Sequence, residues 1–534
     1  MRIIITLLLS LFALTSCVNE PTYSNEELEA RSLKAWMKKN HPELMGNYQE
    51  DGGYYVHVLA WGDETASATE STEEKVIDLG SQAIMDQDTC WVYYNFTGYN
   101  LDGSVFSTRD EVIARMQATY SDRTHYVPYG NFCGKEEFYA IVEGSYLASR
   151  NKIKLSEQYV AANSGVCKGT ELILRKGSKV RLYMPSSIGY SSSGSSAEGG
   201  YEGQYSLDSN MPMILDMEVM RVVSNPSDVE LEMVEELVKA SNAASEQIQW
   251  HQIENTEESD ESDESDEDAN PEGDIDDPDS DEDSDKEKKY YEGIYYNNTF
   301  QPNDEYAHLK YATPDKAGIN NAYRDSQRYA SMAEFDKKLW EILDKKFADM
   351  IKKTSEADAK EVTDENSAMI WYVGRFLDGF IFDTNIPEVR KLAFNEDGSE
   401  DEGSSGESSI SYSVSSNKDE YISAWAHAVP HLRYGRWGAV ITTSGYAYGS
   451  SGVSASTSST SASTAAAMNS LMNLYNYYSM TGSSYYNAYS YYNYYNYYGG
   501  YTNYYNYEDT TSKIETEIAP YAPMVFYIFI EPTE

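Results

Sequence analysis

Apolar and polar residues alternate with two different periods along this chain of 534 residues, and the changes of period mark its parts. In NEELEARSLKAWMKKN (25–40) apolar positions fall at helical spacing, which predicts a short helix within a tether spanning 17–50. From GGYYVHVLAW (52–61) to MPMILDMEVMRVV (211–223) the pattern shifts to short runs rich in Tyr, Val and Ile, broken by Gly, Asp and Ser. That predicts a mainly β unit over 51–225. Helical spacing returns at 227–249, where Ser227 and Asp228 are placed to cap it, and again in RYASMAEFDKKLWEILDKKFADMIKKT (328–354). The segment EGIYYNNTF (292–300) echoes GGYYVHVLA, and strands resume at 368 and close with APMVFYIFI (522–530). A second β unit is therefore predicted over 290–534, with a helical insert at about 323–354.

Two stretches carry neither period. Residues 254–288, ENTEESDESDESDEDANPEGDIDDPDSDEDSDKEK, cannot bury a core, so 226–289 reads as a helix followed by an extended, self-repelling linker. Its Asp-x-Asp runs lack the turn glycine and closing glutamate of a calcium-binding loop. Residues 450–507 are first Ser/Ala/Thr-rich and then LYNYYSMTGSSYYNAYSYYNYYNYYGGYTNYYNY, nearly free of aliphatic and charged residues, and read as a low-complexity insert. The length predicts two units with linkers, because one core does not grow to this size. A formal charge of −46 argues against nucleic acid as a partner.

The first residues speak to compartment. Arg2 precedes IIITLLLSLFALTSC, an apolar run too short for a lasting membrane span, which reads as a secretory signal over 1–16. LTSC (14–17) resembles the bacterial lipobox, which implies that Cys17 is acylated and holds the protein to a membrane, the outer membrane of a cell envelope being the expected one. Three cysteines then remain, Cys90, Cys133 and Cys167; an odd number leaves at least one thiol free or paired between chains and excludes a disulfide scaffold. No cysteine or histidine spacing suits a metal, and no cofactor is predicted.

The chemistry lies in a repeat. WYVGRFLDGFIFDTN (371–385) has a distant relative upstream, NFTGYNLDGSVFSTR (95–109). The chain resembles the FKBP-type peptidyl-prolyl cis–trans isomerases twice over. In the second copy Tyr372 and Gly374 stand where that family has Tyr-Thr-Gly, and Asp378-Gly379 and Phe382-Asp383 follow at nearly its spacing. Trp425, Gly435 and Tyr448 keep the family's mutual spacing, and Phe526 falls at the aromatic position of the last strand. In the first copy Phe96 replaces the Tyr, Phe106 matches, and Ser107 replaces the Asp. Cys167 stands at the Trp position, Tyr190 matches, and Leu215 replaces the last Phe.

The resemblance implies an α+β protein: two FKBP-like domains, each a curved antiparallel sheet wrapped on a short helix, joined by a helix and an acidic linker. Tyr372, Phe382, Trp425, Tyr448 and Phe526 are then expected to enclose a proline ring, with Asp383 orienting polar groups. The Ile422 N–H and the Tyr448 hydroxyl are expected to hold substrate carbonyls. Rotation about an X–Pro bond needs no acid, base or nucleophile. Amide resonance sets a barrier of roughly 18–20 kcal/mol. A dry aromatic site favours the twisted transition state, whose carbonyl oxygen has lost charge. The expected partners are proline-containing polypeptides, and the first copy is expected to be inactive. A competing expectation is a non-catalytic FKBP-like scaffold that binds peptide or glycan through its tyrosine-rich insert. Client and oligomeric state stay open. Cys17→Ser is expected to release the protein into the soluble fraction after cell breakage; retention on membranes through a high-salt wash overturns the lipid anchor.

Overall fold

The computed structural model describes residues 23–70, 76–117, 120–135, 138, 140–191, 206–244, 249–255, 289–301, 332–363, 367–394, 409–413, 421–450, 452–453 and 516–532. The apolar run before Cys17, Cys17 itself, most of the acidic linker and the tyrosine-rich insert fall outside these residues. Among the described residues no helix is long and apolar enough to cross a membrane.

Among the described residues the fold is mixed, with two large antiparallel sheets, a small two-stranded one (Ile153–Lys154 with Glu171–Leu172) and several helices. In the first sheet the strand order is Tyr48–Gln49, Tyr54–Trp61, Ser178–Met184, Met213–Val223 and Trp91–Asn100, with Val105–Thr108 and Tyr129–Phe132 both paired to the last. The second repeats that order: His251–Glu254, Tyr290–Asn297, Trp437–Thr442, Met524–Ile530 and Ser367–Phe376, with Ile381–Thr384 and Ile410–Ser413 paired to the last. The registers agree residue by residue. Gly98 faces Ser107 in one hairpin and Gly374 faces Asp383 in the other, with a bulge at the following step of each. On the other side Gly98 faces Leu215, and Gly374 faces Phe526. Leu215 faces Leu182, and Phe526 faces Val440. Gly103 and Gly379, at φ +90° and +93°, turn the two hairpins where a side chain would be strained.

The structure extends three elements beyond their sequence reading. The helix Asn25–Asn40 is no free tether, because Leu33 and Met37 are buried in the first core and Trp36 lies 5.9 Å from the Tyr183 ring. Its start carries a reciprocal cap in which the Ser24 hydroxyl accepts from the Glu27 N–H and the Glu27 carboxylate from the Ser24 N–H. The connector holds the strand His251–Glu254, whose His251 and Gln252 pair with Tyr296 and Tyr295. The acidic Ser/Gly loop at 395–420 contains the strand Ile410–Ser413, a period-two run paired to Ser367–Ile370.

The helix Met332–Lys353 backs the second sheet. Phe335, Leu339, Leu343 and Phe347 recur every fourth residue and are buried, with Phe347 set against Trp437 and Phe529 at 5.1 and 4.4 Å. This helix is also pinned electrostatically. The fully buried Arg375 guanidinium donates to Asp336 Oδ1 at 2.7 Å and, through Nε, to the Gly379 carbonyl of the hairpin turn at 2.8 Å.

Among the described residues, several contacts join the two units. Trp91 meets Tyr521 edge-on at 4.8 Å, Arg109 Nη2 lies 2.5 Å from the Glu517 carboxylate, and Arg123 approaches the Phe394 ring at 5.7 Å. His125 Nε2 is 2.6 Å from Asp378 Oδ2, and its ring stacks on Phe376 at 4.7 Å. The first unit thus docks on the hairpin tip of the second, on its helix Pro387–Phe394 and on the segment that leads into its last strand.

Asp336→Ala is expected to lower unfolding free energy by about 3–5 kcal/mol, since it strands the buried Arg375 charge. Adding Arg375→Met should recover much of the loss. Denaturant unfolding of both variants checks this; a single variant within about 1 kcal/mol of the parent refutes the burial argument.

Candidate functional site

The Tyr-x-Gly and Phe-Asp motifs of the second unit sit on adjacent strands, and the glycine explains their pairing. A Cβ on Gly374 would lie 2.7 Å from Phe382 Cζ and 3.1 Å from Phe526 Cε1, so the Phe382 ring rests on bare backbone. The same contact recurs in the first unit, where a Cβ on Gly98 would meet Phe106 Cζ at 2.5 Å. With its ring so placed, Phe382 stands edge-on to Phe526 at 5.7 Å and to Tyr448 at 6.2 Å. Trp425, on the short helix Ser423–Ala428, completes the cluster edge-on to Tyr372 at 5.3 Å and to Phe526 at 5.7 Å. Phe382, Trp425, Phe526 and Tyr372 are buried, while Tyr448 and Ile422 are half-exposed at the rim.

Asp383 lies inside this cluster. Its Oδ2 accepts from the Tyr372 hydroxyl at 2.5 Å and its Oδ1 from the Thr384 N–H at 2.9 Å. Burial pushes its pKa up, opposed by the Tyr372 hydroxyl, the Arg390 charge and the Thr384 N–H. Burial, with the Asp383 charge adding to it, holds the Tyr372 and Tyr448 hydroxyls protonated far above neutral pH. Tyr372 is fixed through its backbone as well. Its N–H donates to Asn385 Oδ1 at 2.8 Å, and its carbonyl accepts from Thr384 Oγ1 at 2.6 Å. The arrangement is an apolar aromatic site holding one carboxylate and protonated phenols.

The first unit has the same frame with other side chains. Phe96, Phe106, Ser107, Cys167 and Leu215 are buried, and Tyr190 meets Phe106 edge-on at 5.8 Å. Cys167 follows the turn 163–166 that ends the helix Glu157–Ala162, with no helix of its own. No carboxylate stands where Ser107 faces Gly98.

No family model matches the chain, and no curated protein matches it. Solved structures similar to it include FKBP-type isomerases. The three FKBP domains of wheat FKBP73 align over 90% of this chain and 95% of that one, at 10% identity and a TM-score of 0.19. FkpA from Escherichia coli aligns over 37% of this chain and 60% of that one, at 14% identity and a TM-score of 0.20. A peptidyl-prolyl cis-trans isomerase from Pseudomonas syringae pv. tomato aligns over 38% and 99%, at 14% identity and 0.19. At such TM-scores the likeness carries no argument about this chain.

Several residues that shape the site escaped the sequence reading. Tyr412 and Tyr421 flank Trp425, Tyr412 edge-on at 6.0 Å and Tyr421 nearly parallel at 5.5 Å. Tyr412 sits in the alternating run ISYSV, whose period-two signal is diluted by the serines around it. At the matching register the first unit has Asn131. Glu230, on the helix Pro226–Ala244, also escaped. Its carboxylate accepts from the Ser444 N–H and hydroxyl, both at 2.8 Å. The Ser444 carbonyl in turn accepts from the Ala447 and Gly449 N–H groups, which closes the turn that carries Tyr448. In the first unit Glu29 accepts from the Ser186 N–H and hydroxyl in the same manner, and the Ser186 carbonyl accepts from Gly189 and Ser191 around Tyr190. Such partners lie 214 and 157 residues apart, so no local spacing announces them.

Burial pushes Glu230 up to about 7 from an ordinary value of 4.5. The folded state therefore keeps a proton that the unfolded state releases between these two values. Stability from this group is full below pH 4.5 and is lost as pH rises through about 7. The loss amounts to about 3 kcal/mol at 1.36 kcal/mol per unit. Glu230→Gln should flatten that part of the profile, measured by denaturant unfolding at acidic and mildly alkaline pH. A variant with the parent's full slope refutes the assignment.

Proposed function

We propose that the second unit grips an X–Pro segment of a polypeptide and accelerates its cis–trans isomerisation, and that the protein works as a lipid-anchored folding helper outside the cytoplasm. One observation supports the catalytic part above the others. Tyr372, Phe382, Trp425 and Phe526, drawn from three strands and a helix, meet edge-on around a single buried carboxylate. Edge-to-face rings leave apolar faces that suit a proline ring, and proline carries no N–H that such a site would have to satisfy. Desolvation of the scissile-free amide inside the cluster favours the twisted state, in which the carbonyl has less charge to solvate.

Each residue then has a task. The aromatic rings hold proline and exclude water. Asp383, held by Tyr372 and Thr384, presents a fixed negative field near the amide, and the half-buried residues Tyr448 and Ile422 at the rim supply a hydroxyl and an N–H for substrate carbonyls. The first unit keeps rings at Phe96, Phe106 and Tyr190 but, with Cys167, Leu215, Asn131 and Ser107 at the matching positions, lacks the other three rings and the carboxylate, and serves as a docking partner for the second.

A protease-coupled or fluorescence assay of X–Pro isomerisation on the full chain tests this. Removal of one aromatic contact costs about 1 kcal/mol, and about 1.4 kcal/mol is tenfold in rate. Trp425→Ala combined with Asp383→Ala is therefore expected to lower kcat/KM at least tenfold, whereas Leu215→Ala leaves it within a factor of two of the parent, roughly. Activity carried by the first unit would reverse that pattern. A well-folded chain that binds proline peptides without turnover would make the protein a binding scaffold instead.

A further inference from the structure

The contacts described between the units come from four residues, Trp91, Arg109, Arg123 and His125, which lie in one segment of the first unit. Cys90 immediately precedes that segment, and Cys133 immediately follows its closing strand Tyr129–Phe132. Trp91 and Phe132 are register partners, and the ladder continues one step past them. Cys133 N–H donates to the Cys90 carbonyl at 2.8 Å and Cys90 N–H to the Cys133 carbonyl at 3.3 Å. Residues that exchange both backbone bonds across an antiparallel pair have Cα atoms about 5.5 Å apart. A disulfide spans roughly 4.4–6.8 Å between Cα atoms. The side chains are also turned toward one another. The Cys90 thiol donates to the Cys133 carbonyl oxygen at 3.7 Å. Both are buried.

We propose that Cys90 and Cys133 are a redox-active pair whose disulfide closes the docking segment 91–132 at its base. Both thiols are buried in the folded chain, so the disulfide forms during refolding, while the pair is open to the oxidant. The Arg150 guanidinium, which donates to the Cys133 carbonyl at 3.5 Å, places positive charge beside both sulfurs and favours a thiolate at the pair. The oxidant is a small-molecule disulfide of the glutathione class. The Cys90 thiolate attacks one of its sulfurs, forming a mixed disulfide and expelling one small thiolate. Cys133, deprotonated, then attacks the Cys90 sulfur and expels the second. Two protein thiols are oxidised by two electrons, the small disulfide is reduced to two thiols, and the two protons pass to those thiols. The product joins Trp91–Asn100 to its partner Tyr129–Phe132 covalently and removes freedom from the loop between them, which carries His125 to Asp378.

The test is to refold the full chain in reduced and oxidised glutathione, quench with acid, alkylate in denaturant and map the peptides. Of the three thiols Cys90, Cys133 and Cys167, two are expected to resist alkylation, and one peptide pair should link Cys90 to Cys133. Amide exchange at 121–127, measured on the oxidised and reduced protein, should be slower in the oxidised form. Cys133→Ser should leave Cys90 alkylatable. Recovery of both thiols from the oxidising mixture, or a link from either cysteine to Cys167, overturns the site. A Cys90–Cys133 link that leaves exchange at 121–127 unchanged overturns its role in docking.

Discussion

A phenylalanine ring resting on a glycine backbone is the constraint from which the rest of each unit follows. Gly374 must be bare, because the Phe382 ring occupies the space its Cβ would take, and Gly98 must be bare beneath Phe106. The bulge that follows each glycine sets the register of the hairpin, so that the residue after the phenylalanine, Asp383 or Ser107, faces the glycine. That places Asp383 within reach of the Tyr372 hydroxyl, two residues before the glycine. The last strand is fixed by the same point, since Gly374 faces Phe526 and Gly98 faces Leu215 across it. A single steric condition thus aligns three strands and decides which side chains meet.

The two units show how little of that frame depends on the site chemistry. With the glycine, the hairpin and the Glu–Ser pin retained, the first unit keeps its sheet order while Trp, Asp and Tyr positions become Cys167, Ser107 and Asn131. Buried small polar and aliphatic residues fill the same places, and the core remains closed. Frame and chemistry are separable here because the frame is built from backbone geometry and the chemistry from side chains that the frame merely receives.

This separation explains what was legible in the chain. The hairpin motifs could be read directly, because Tyr372, Gly374, Phe382 and Asp383 are local in sequence and each answers to one backbone requirement. Trp425 and Tyr448 were found because the spacing between them is held by a turn and a strand of constant length. Tyr412 was not, since serines around it hide a strand only four residues long. The docking of the helix Asn25–Asn40 was equally hidden. Its pattern announces a helix with an apolar side, but the surface that receives it is built from residues around Tyr183 and Ser186. Glu29 and Glu230 look like ordinary charged helix residues until the turn that each one holds has been folded against it.

The same long-range character decides how the units act on each other. The first unit does not reach the aromatic cluster; it grips the hairpin tip at Asp378, one turn away from Phe382. Phe376 transmits that grip, with the His125 ring stacked on it at 4.7 Å and Phe382 against it at 4.9 Å. Phe376 thus links the docking contact at His125 to the ring that lies on Gly374, which the glycine leaves no room to move inward. From the opposite side the helix Met332–Lys353 holds the same turn through Arg375 and the Gly379 carbonyl. The hairpin is clamped from both directions, by a stacked imidazole and a buried guanidinium. The placement of Phe382 and Asp383 is consequently a property of the whole chain and not of the hairpin alone.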